Sequence, residues 1–414
     1  MRVAVVGSGV SGLLVAHLLS DEHEVVVFEQ DDRIGGHTHT VAVTRDGVEQ
    51  QVDTGFIVFN DWTYPNFIAL LDHLGVSWQP SDMSFSVKCL RTGLEYNGTS
   101  IDTLFAQRRN LLRPTFWRMI RDILRFNRNA PGLLQDPDPS LTIGTYVDRE
   151  GYSREFVEHY LMPMGAAIWS SGSGTIRDFP AVFFVRFLHN HGMLSVENRP
   201  TWRVVRGGSR SYLGPLTARF RDRIRVNAPV ERVLRQASGV SVAVRGHEAE
   251  HFDQVVLATH SDQALRMLAD ASPVERDVLG AMPYQTNRAV LHTDRSVMPK
   301  TPRAWASWNY LIPEGEHERL TVTYWMNLLQ SLRRETDYFV TLNPVEPIAE
   351  HAVLREMDYE HPQYTAETVR AQARYDEIGG VNRTHFCGAY WFNGFHEDGV
   401  VSALRVARAF GKSL

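Results

Sequence analysis

Three features of this sequence predict an α/β fold built on a parallel nucleotide-binding sheet. The chain opens with a short apolar run, Arg2 to Val6, of the kind a buried parallel strand shows. Glycines follow at 7, 9 and 12, then a helix-like pattern of Leu13, Leu14, Ala16 and Leu18. A second apolar run, Glu24 to Phe28, is closed by Glu29, 22 positions after Gly7. Strand, glycine turn, helix, strand and acid in that order are the context a dinucleotide site requires. Gly7 permits the tight turn, Gly9 lets the main chain approach a pyrophosphate, and Gly12 lets helix pack on strand. The phosphates would sit at the helix start, Val10 and Ser11, facing free N–H groups and the positive dipole end. Glu29, with Gln30 beside it, would accept hydrogen bonds from a ribose diol, which disfavours a 2′-phosphate.

At 414 residues the chain exceeds the usual size of a single core, so two domains are expected. Its 43% hydrophobic and 22% charged residues are those of an ordinary globular protein. A net charge of -5 gives no global reason to expect nucleic-acid binding. Cys89 and Cys387 are too few for a disulfide framework or a zinc cage, and suit a reducing compartment. The glycine motif begins inside the first strand, so no leader peptide is expected. The most apolar stretch, residues 3–19, is broken by three glycines and two serines, so no spanning helix is expected. The expected location is the cytoplasm, with peripheral contact at the inner membrane face.

Beyond Glu29 stand Arg33, Gly35 and Gly36, followed by "HTHT". An acid, three residues, an arginine, one residue and a glycine pair resembles the signature of the FAD-dependent amine-oxidase and phytoene-desaturase superfamily. The resemblance implies a Rossmann-like, glutathione-reductase-type domain with FAD bound non-covalently. It places Gly35 and Gly36 against the pyrophosphate and ribityl chain, with His37 and Thr38 next to them. His37 stands where the superfamily usually has arginine, so a group titrating near neutrality replaces a fixed cation. Later segments extend the likeness. Gly207 and Gly208 precede Val230, matching the residue whose backbone holds the adenine. Ala258 and Thr259 match the crossover beside the cofactor. "HFCGAYWFNGFHEDGVVSALRVARAF" resembles the closing strand, glycine and helix, with Asp398 and Gly399 opening the helix and the N–H groups of Val400 and Val401 facing the flavin.

The three cofactor segments are separated by long inserts, so the domains interleave. Residues 1–80, 200–265 and 375–414 are expected to form the FAD-binding domain. Residues 81–199 and 266–374 are expected to form an α+β substrate domain, a mixed sheet plus a helical subdomain. Residues 104–128 read as a helix pair interrupted at Pro114. On its wheel Arg118, Arg121, Arg125 and Arg128 form one stripe, opposite Phe116, Ile120, Ile123 and Leu124. That stripe is expected to touch an anionic lipid surface, the alternative being a solvated helix face. The stretch 286–326 is strand-like and aromatic-rich, and Trp305, Trp308 and Tyr324 are expected to roof an apolar pocket. Ordinary core packing is the alternative.

"HNHGMLSVENRPTWRVVRGGSRSY" resembles the flavin-binding N-terminal region of plant cyclopropane-fatty-acyl synthases and its free-standing bacterial relatives. That resemblance implies a long-chain acyl or other lipid substrate and a lipid-modifying synthase as partner. Amine oxidases of the superfamily place a lysine, through water, near flavin N5; the comparable strand here offers Asn287 and Arg288. His396 falls where their aromatic cage has a tyrosine, which weakens recognition of an ammonium group. The leading expectation is therefore hydride transfer to flavin from a lipid chain, in dehydrogenation, desaturation or isomerisation. His396 is the expected proton carrier, with Tyr390 and Trp391 as walls. Amine oxidation is the alternative, and a flavin-stabilised scaffold for a lipid-modifying synthase a further one. His37 and His39 alternate, as do His189 and His191, as if on strand faces, but no third ligand stands at useful spacing and no metal site is expected. "SSGSGTIRDF" carries Arg177 where a second dinucleotide motif needs its third glycine, so no nicotinamide site is expected.

Overall fold

The computed structural model describes residues 1–45, 47–315, 319–333 and 335–414. A five-stranded, all-parallel sheet takes its strands from distant parts of the chain, in the order Ile224–Arg225, Glu24–Phe28, Arg2–Val6, Gln254–Leu257 and Thr384–Phe386. The strand period of two explains why its apolar residues are continuous. Val3 and Val5 face helices Val10–Leu19 and His396–Ala409, while Ala4 and Val6 face an antiparallel layer formed by Val230–Gln236, Gly239–Val244 and Glu250–Phe252. Both faces are covered, as a parallel sheet requires.

The second sheet has seven strands: Val353–Pro362, Tyr284–His292, Phe339–Leu342, Thr321–Trp325, Trp308–Ile312, Phe85–Cys89 and Leu94–Asn97. Neighbours are antiparallel except Trp308–Ile312 beside Phe85–Cys89. Its core is shared with the helices of residues 114–190. Of the strand-like stretch expected over 286–326, residues 316–318 lie outside the described residues.

Packing departs from the expected domain bounds in two places. The hairpin Thr40–Arg45/Val48–Asp53 sends Val43 and Val52 into the core of the seven-stranded sheet. Helices Ser261–Met267 and Pro273–Gly280 pack through Met267, Val278 and Leu279 on the nucleotide sheet.

Pro114 starts a helix rather than breaking one: Pro114–Asn129 carries it at the first turn, where its missing N–H costs nothing. That helix buries Phe116, Met119, Asp122 and Phe126, so its inner face is rotated from the one expected, and Leu124 lies outside. The arginine stripe divides accordingly. Arg118 reaches Glu155, and Arg125 lies 3.9 Å over the Tyr152 ring while donating to the Glu150 carbonyl. Arg121 and Arg128 turn outward.

Candidate active site

The first turn of the nucleotide domain is built by exclusion and by vacancy. Gly7 has φ +101°, and a Cβ there would stand 2.7 Å from the Ala258 carbonyl oxygen. A Cβ on Gly12 would stand 2.1 Å from the Gly7 oxygen. A Cβ on Gly9 would meet no atom within 4 Å. The space above Gly9 is therefore kept free of protein, at the mouth of a helix with no side-chain cap. The second glycine pair closes on the first: Gly35 N–H donates to the Ser8 carbonyl at 2.9 Å, and a Cβ on Gly36 would be 3.3 Å from the Gly9 Cα. Open space above Gly9, at uncapped helix N–H groups and closed by the second glycine pair, fits a pyrophosphate.

Glu29 is buried at the end of the second strand, where Ser8 and Asp31 N–H groups donate to its two carboxylate oxygens at 3.0 Å. Ala228 N–H donates to the Glu29 carbonyl at 2.8 Å, so the segment leading to Val230 runs beside it. Ala258 N–H donates to Val6, which carries Ala258 and Thr259 to the turn. Arg33 folds back to the Gly36 carbonyl at 2.9 Å. Gln30 is exposed. Gly207 and Gly208, both at positive φ, lead into Ser209, which Asp53 holds. That buried carboxylate accepts from Ser209 N–H at 2.9 Å, from Thr40 Oγ1 at 2.6 Å and from Gln330 Nε2 at 2.9 Å. Burial pushes its carboxyl up to about 6. Nothing in the local sequence marks Asp53: Thr40 stands 13 residues away, but Ser209 and Gln330 lie more than 150 residues away.

The last helix corrects the expected flavin contact. It begins at His396, and its first internal bond runs from Gly399 N–H to Phe395 at 3.1 Å. Val400 and Val401 therefore lie past the first turn, and the free N–H groups belong to His396, Glu397 and Asp398. Gly399 instead makes a helix crossing: its Cβ would stand 2.8 Å from Val10 Cγ1, and its carbonyl accepts from Ser11 Oγ at 2.9 Å. The two helix starts meet there.

His396 does not have the setting of a proton carrier. It is buried, stacked on Phe56 at 3.8 Å and 9°, edge-on to Phe67, with Nε2 2.8 Å from Tyr212 Oη. Tyr212 Oη in turn meets Thr38 Oγ1. Burial pushes the imidazole down to about 3, so it stays neutral and holds the helix start in place.

The expected aromatic roof is also dispersed. Trp308 and Tyr324 pair at 5.0 Å within one face of the seven-stranded sheet, while Trp305 packs against Trp325 and Phe339 on the other. Tyr390 and Trp391 belong to the core behind the nucleotide sheet, beside Tyr375. His189 and His191 close a helix, not a strand; His189 is exposed and His191 stacks on Phe187 at 3.8 Å.

A cluster that no local motif marks stands next to the cradle. The His37 ring lies 5.2 Å from Tyr359 and 5.5 Å from His361. His39 Nδ1 is 2.8 Å from Tyr359 Oη. His361 Nδ1 is 2.9 Å from Asn287 Nδ2, which also donates to the Ser170 carbonyl at 3.0 Å, while Asn343 donates to Asn287 Oδ1 at 2.7 Å. A carbonyl can only accept, so the Asn287 amide nitrogen is fixed as donor and His361 Nδ1 as acceptor. The neutral ring then carries its proton on Nε2. Burial pushes His361 down to about 4, helped by His260, and holds His37 well below its usual range. Arg288, the next residue, is exposed and paired with Glu356. His37 also connects inward: its carbonyl accepts from Phe56 N–H at 2.7 Å, and Phe56 carries the stack on His396.

Beside the start of the last helix opens a cleft of about 470 Å³. The rings of Trp62, Tyr64, Phe187 and Phe395 line it together with Glu397 and Asp398, and exposed Arg186 stands at its edge. Glu397 accepts from Asn66 and Phe67 N–H groups at 3.0 and 2.8 Å, and Asp398 from Phe395 N–H at 2.8 Å. Burial pushes Asp398 up to about 7 and raises Glu397 as well.

A parallel nucleotide sheet, an antiparallel cover and a glycine cradle facing a mixed sheet define a flavoprotein oxidoreductase fold. Residues 10–410 match the family of flavin-containing amine oxidoreductases, and the chain belongs to it. FAD is its cofactor, and the cradle, Glu29 and the segment at Val230 are the residues that would hold it. A Mycobacterium tuberculosis protein, "Putative flavin-containing monoamine oxidase", is 28% identical over 257 residues, 60% of this chain. The match spans about half, 54%, of that relative. Cyclohexylamine oxidase from Brevibacterium oxydans superposes with TM-score 0.71 at 16% identity, over 99% of this chain and 98% of that one. Putrescine oxidase bound to putrescine gives 0.69 at 18%, over 99% of both chains. A CLA-producing fatty acid isomerase from P. acnes gives 0.69 at 14%, over 99% and 98%. At such identities these three share the fold with this chain.

Proposed function

We propose that this enzyme oxidises an amine, removing hydride from a carbon next to nitrogen. The observation that carries the reading is the cleft at the last helix, where aromatic faces and two carboxylates converge. Rings attract a cation through their quadrupoles, and Asp398, whose carboxyl burial pushes up to about 7, gains ionisation when an ammonium group enters. FAD, when bound, supplies the two-electron acceptor. The chain's own residues then have separable parts. Glu397 and Asp398 draw and orient the amine. Asn287 fixes His361 with Nε2–H as a donor, in the part the family's oxidases give to lysine, and His361 can hold a water there without adding positive charge. His396, Phe56 and Phe67 exclude water behind the helix start.

A second reading, hydride removal from an unsaturated acyl chain, is favoured by that same uncharged inner wall and by the lack of a tyrosine at position 396. One experiment separates the two. The holoenzyme is mixed under argon with alkyl monoamines, diamines or unsaturated fatty acids, and the flavin absorbance is followed. Bleaching by amines alone supports the first reading. Bleaching by the fatty acids alone overturns it in favour of the second.

A further inference from the structure

The face left outward by the helix Pro114–Asn129 mixes exposed apolar side chains with arginines. Residues 101–130 contain seven arginines and two aspartates, in a chain whose net charge is -5. Asp102 pairs with Arg108, and Asp122 is buried, accepting from Ser153 N–H at 2.8 Å and lying 3.8 Å from the Arg121 guanidinium, which stays 72% exposed. On a helix of 100° per residue, Trp117, Arg121, Leu124 and Arg128 fall within one narrow arc. Trp117 is 48% exposed and Leu124 50%. Just before the helix, Leu112 is 88% exposed, beside the exposed Leu111. This surface is built, not frayed. Trp117 Nε1 donates to the Leu111 carbonyl at 2.9 Å, and the Trp117 ring packs 5.3 Å from Phe105.

We infer that this ridge docks on an anionic lipid bilayer. Three features choose a bilayer over a protein partner. The apolar groups protrude from a single helix and its leading turn rather than lining a groove. They alternate with guanidinium groups that can pair with lipid phosphates while the aliphatic tips enter the acyl boundary. A tryptophan with a polar edge sits between them, as at bilayer interfaces. The outward charge comes from Arg128 and from Arg121, whose guanidinium is 72% exposed although it lies 3.8 Å from Asp122, whereas Arg118 reaches Glu155 and Arg125 lies over the Tyr152 ring. The inference is independent of the substrate reading.

The test is co-sedimentation of the holoenzyme with phosphatidylglycerol or phosphatidylcholine vesicles at low and high salt. The expected result is binding to phosphatidylglycerol on the order of tenfold tighter than to phosphatidylcholine, and weakened by salt. Arg121→Gln/Arg128→Gln and Leu112→Ser should each lose most of it with flavin retained. Arg118→Gln/Arg125→Gln should bind as wild type, although its melting temperature falls. Absence of binding, equal binding to both lipids, or wild-type binding by the 121/128 variant would each overturn the inference. So would concentration-dependent self-association that Leu112→Ser abolishes in a protein that ignores vesicles, since a second copy would then be the occupant.

Discussion

Gly9 and Gly12 lie three residues apart in one motif, yet their substitutions should fail for different reasons. At Gly12 an added methyl would stand 2.1 Å from the Gly7 oxygen and 3.0 Å from Ala258 Cβ. Gly7 is itself held to Phe28 by a 2.8 Å hydrogen bond, so relief requires moving helix against sheet. Such overpacking costs about 1–3 kcal/mol. The helix propensity gained from alanine returns at most about 1 kcal/mol. At Gly9 the backbone, φ -67° and ψ 177°, suits any residue, and no protein atom lies within 4 Å of the new Cβ. The flavin-free Gly9→Val protein should therefore stay within about 0.5 kcal/mol of wild type. Its side chain occupies the pyrophosphate's approach, and a hundredfold loss of FAD affinity corresponds to about 2.8 kcal/mol. Two measurements decide: the flavin-to-protein ratio after purification, and thermal unfolding of flavin-stripped samples. Gly9→Val should be colourless with a wild-type stripped melting curve, and Gly12→Ala should melt lower even when stripped. A yellow Gly9→Val protein, or equal stripped melting temperatures for both variants, would refute the assignment of the open space to the cofactor.

Other outcomes follow from the same packing. Cys387 is fully buried and burial pushes its thiol up, so it offers no thiolate for a flavin bond; acid precipitation should release the colour into the supernatant. His361→Leu should keep FAD but slow flavin reduction by the best amine on the order of 10²-fold, with Asn287→Leu showing the same phenotype. Unchanged reduction rates in both would remove the cluster from the active site. Burial pushes the Asp398 carboxyl up from its ordinary 3.8 to about 7, so between those values the folded state holds a proton that the unfolded state releases. Stability then falls as pH rises from about 4 to 7 and is level above. Asp398→Asn should therefore melt above wild type near pH 8 and converge with it near pH 4, read by thermal scans of stripped protein. Arg235 is buried between Glu275, at 2.7 and 2.9 Å, and Asp270 at 2.8 Å. Glu275→Ala should cost about 3–5 kcal/mol in denaturant unfolding, and Arg235→Met/Glu275→Leu distinctly less.

What was legible in the sequence was whatever is local. The cradle could be read from five glycines and Glu29 because turn, helix start and strand end are set by residues within a few positions of one another. The flavin class was equally readable, since its signature lies within 30 residues of the first strand. The histidine cluster beside the cradle was not, and the reason is register. Asn287 was visible as a departure from lysine, but its meaning depends on His361, 74 residues away, and on Ser170, 117 residues away. The pairing of Tyr284–His292 with Val353–Pro362 sets Asn287 opposite Tyr359 and Gln285 opposite His361. The alternation of Tyr359 and His361 was the one available signal that both face the same way. His396 shows the reverse error. A histidine at a catalytic-looking position reads as a proton carrier until Phe56, Phe67 and Tyr212 are seen around it, and its neutrality then makes it packing. The helix Pro114–Asn129 failed by rotation alone: a wheel ranks faces by composition, but the buried face is chosen by what packs on it. Here Met119 and Phe126 point inward, and Asp122 follows them because Ser153 supplies its N–H. That rotation brings Leu124 out among the arginines, and it turns an apparently ordinary amphipathic helix into one with apolar residues on both sides.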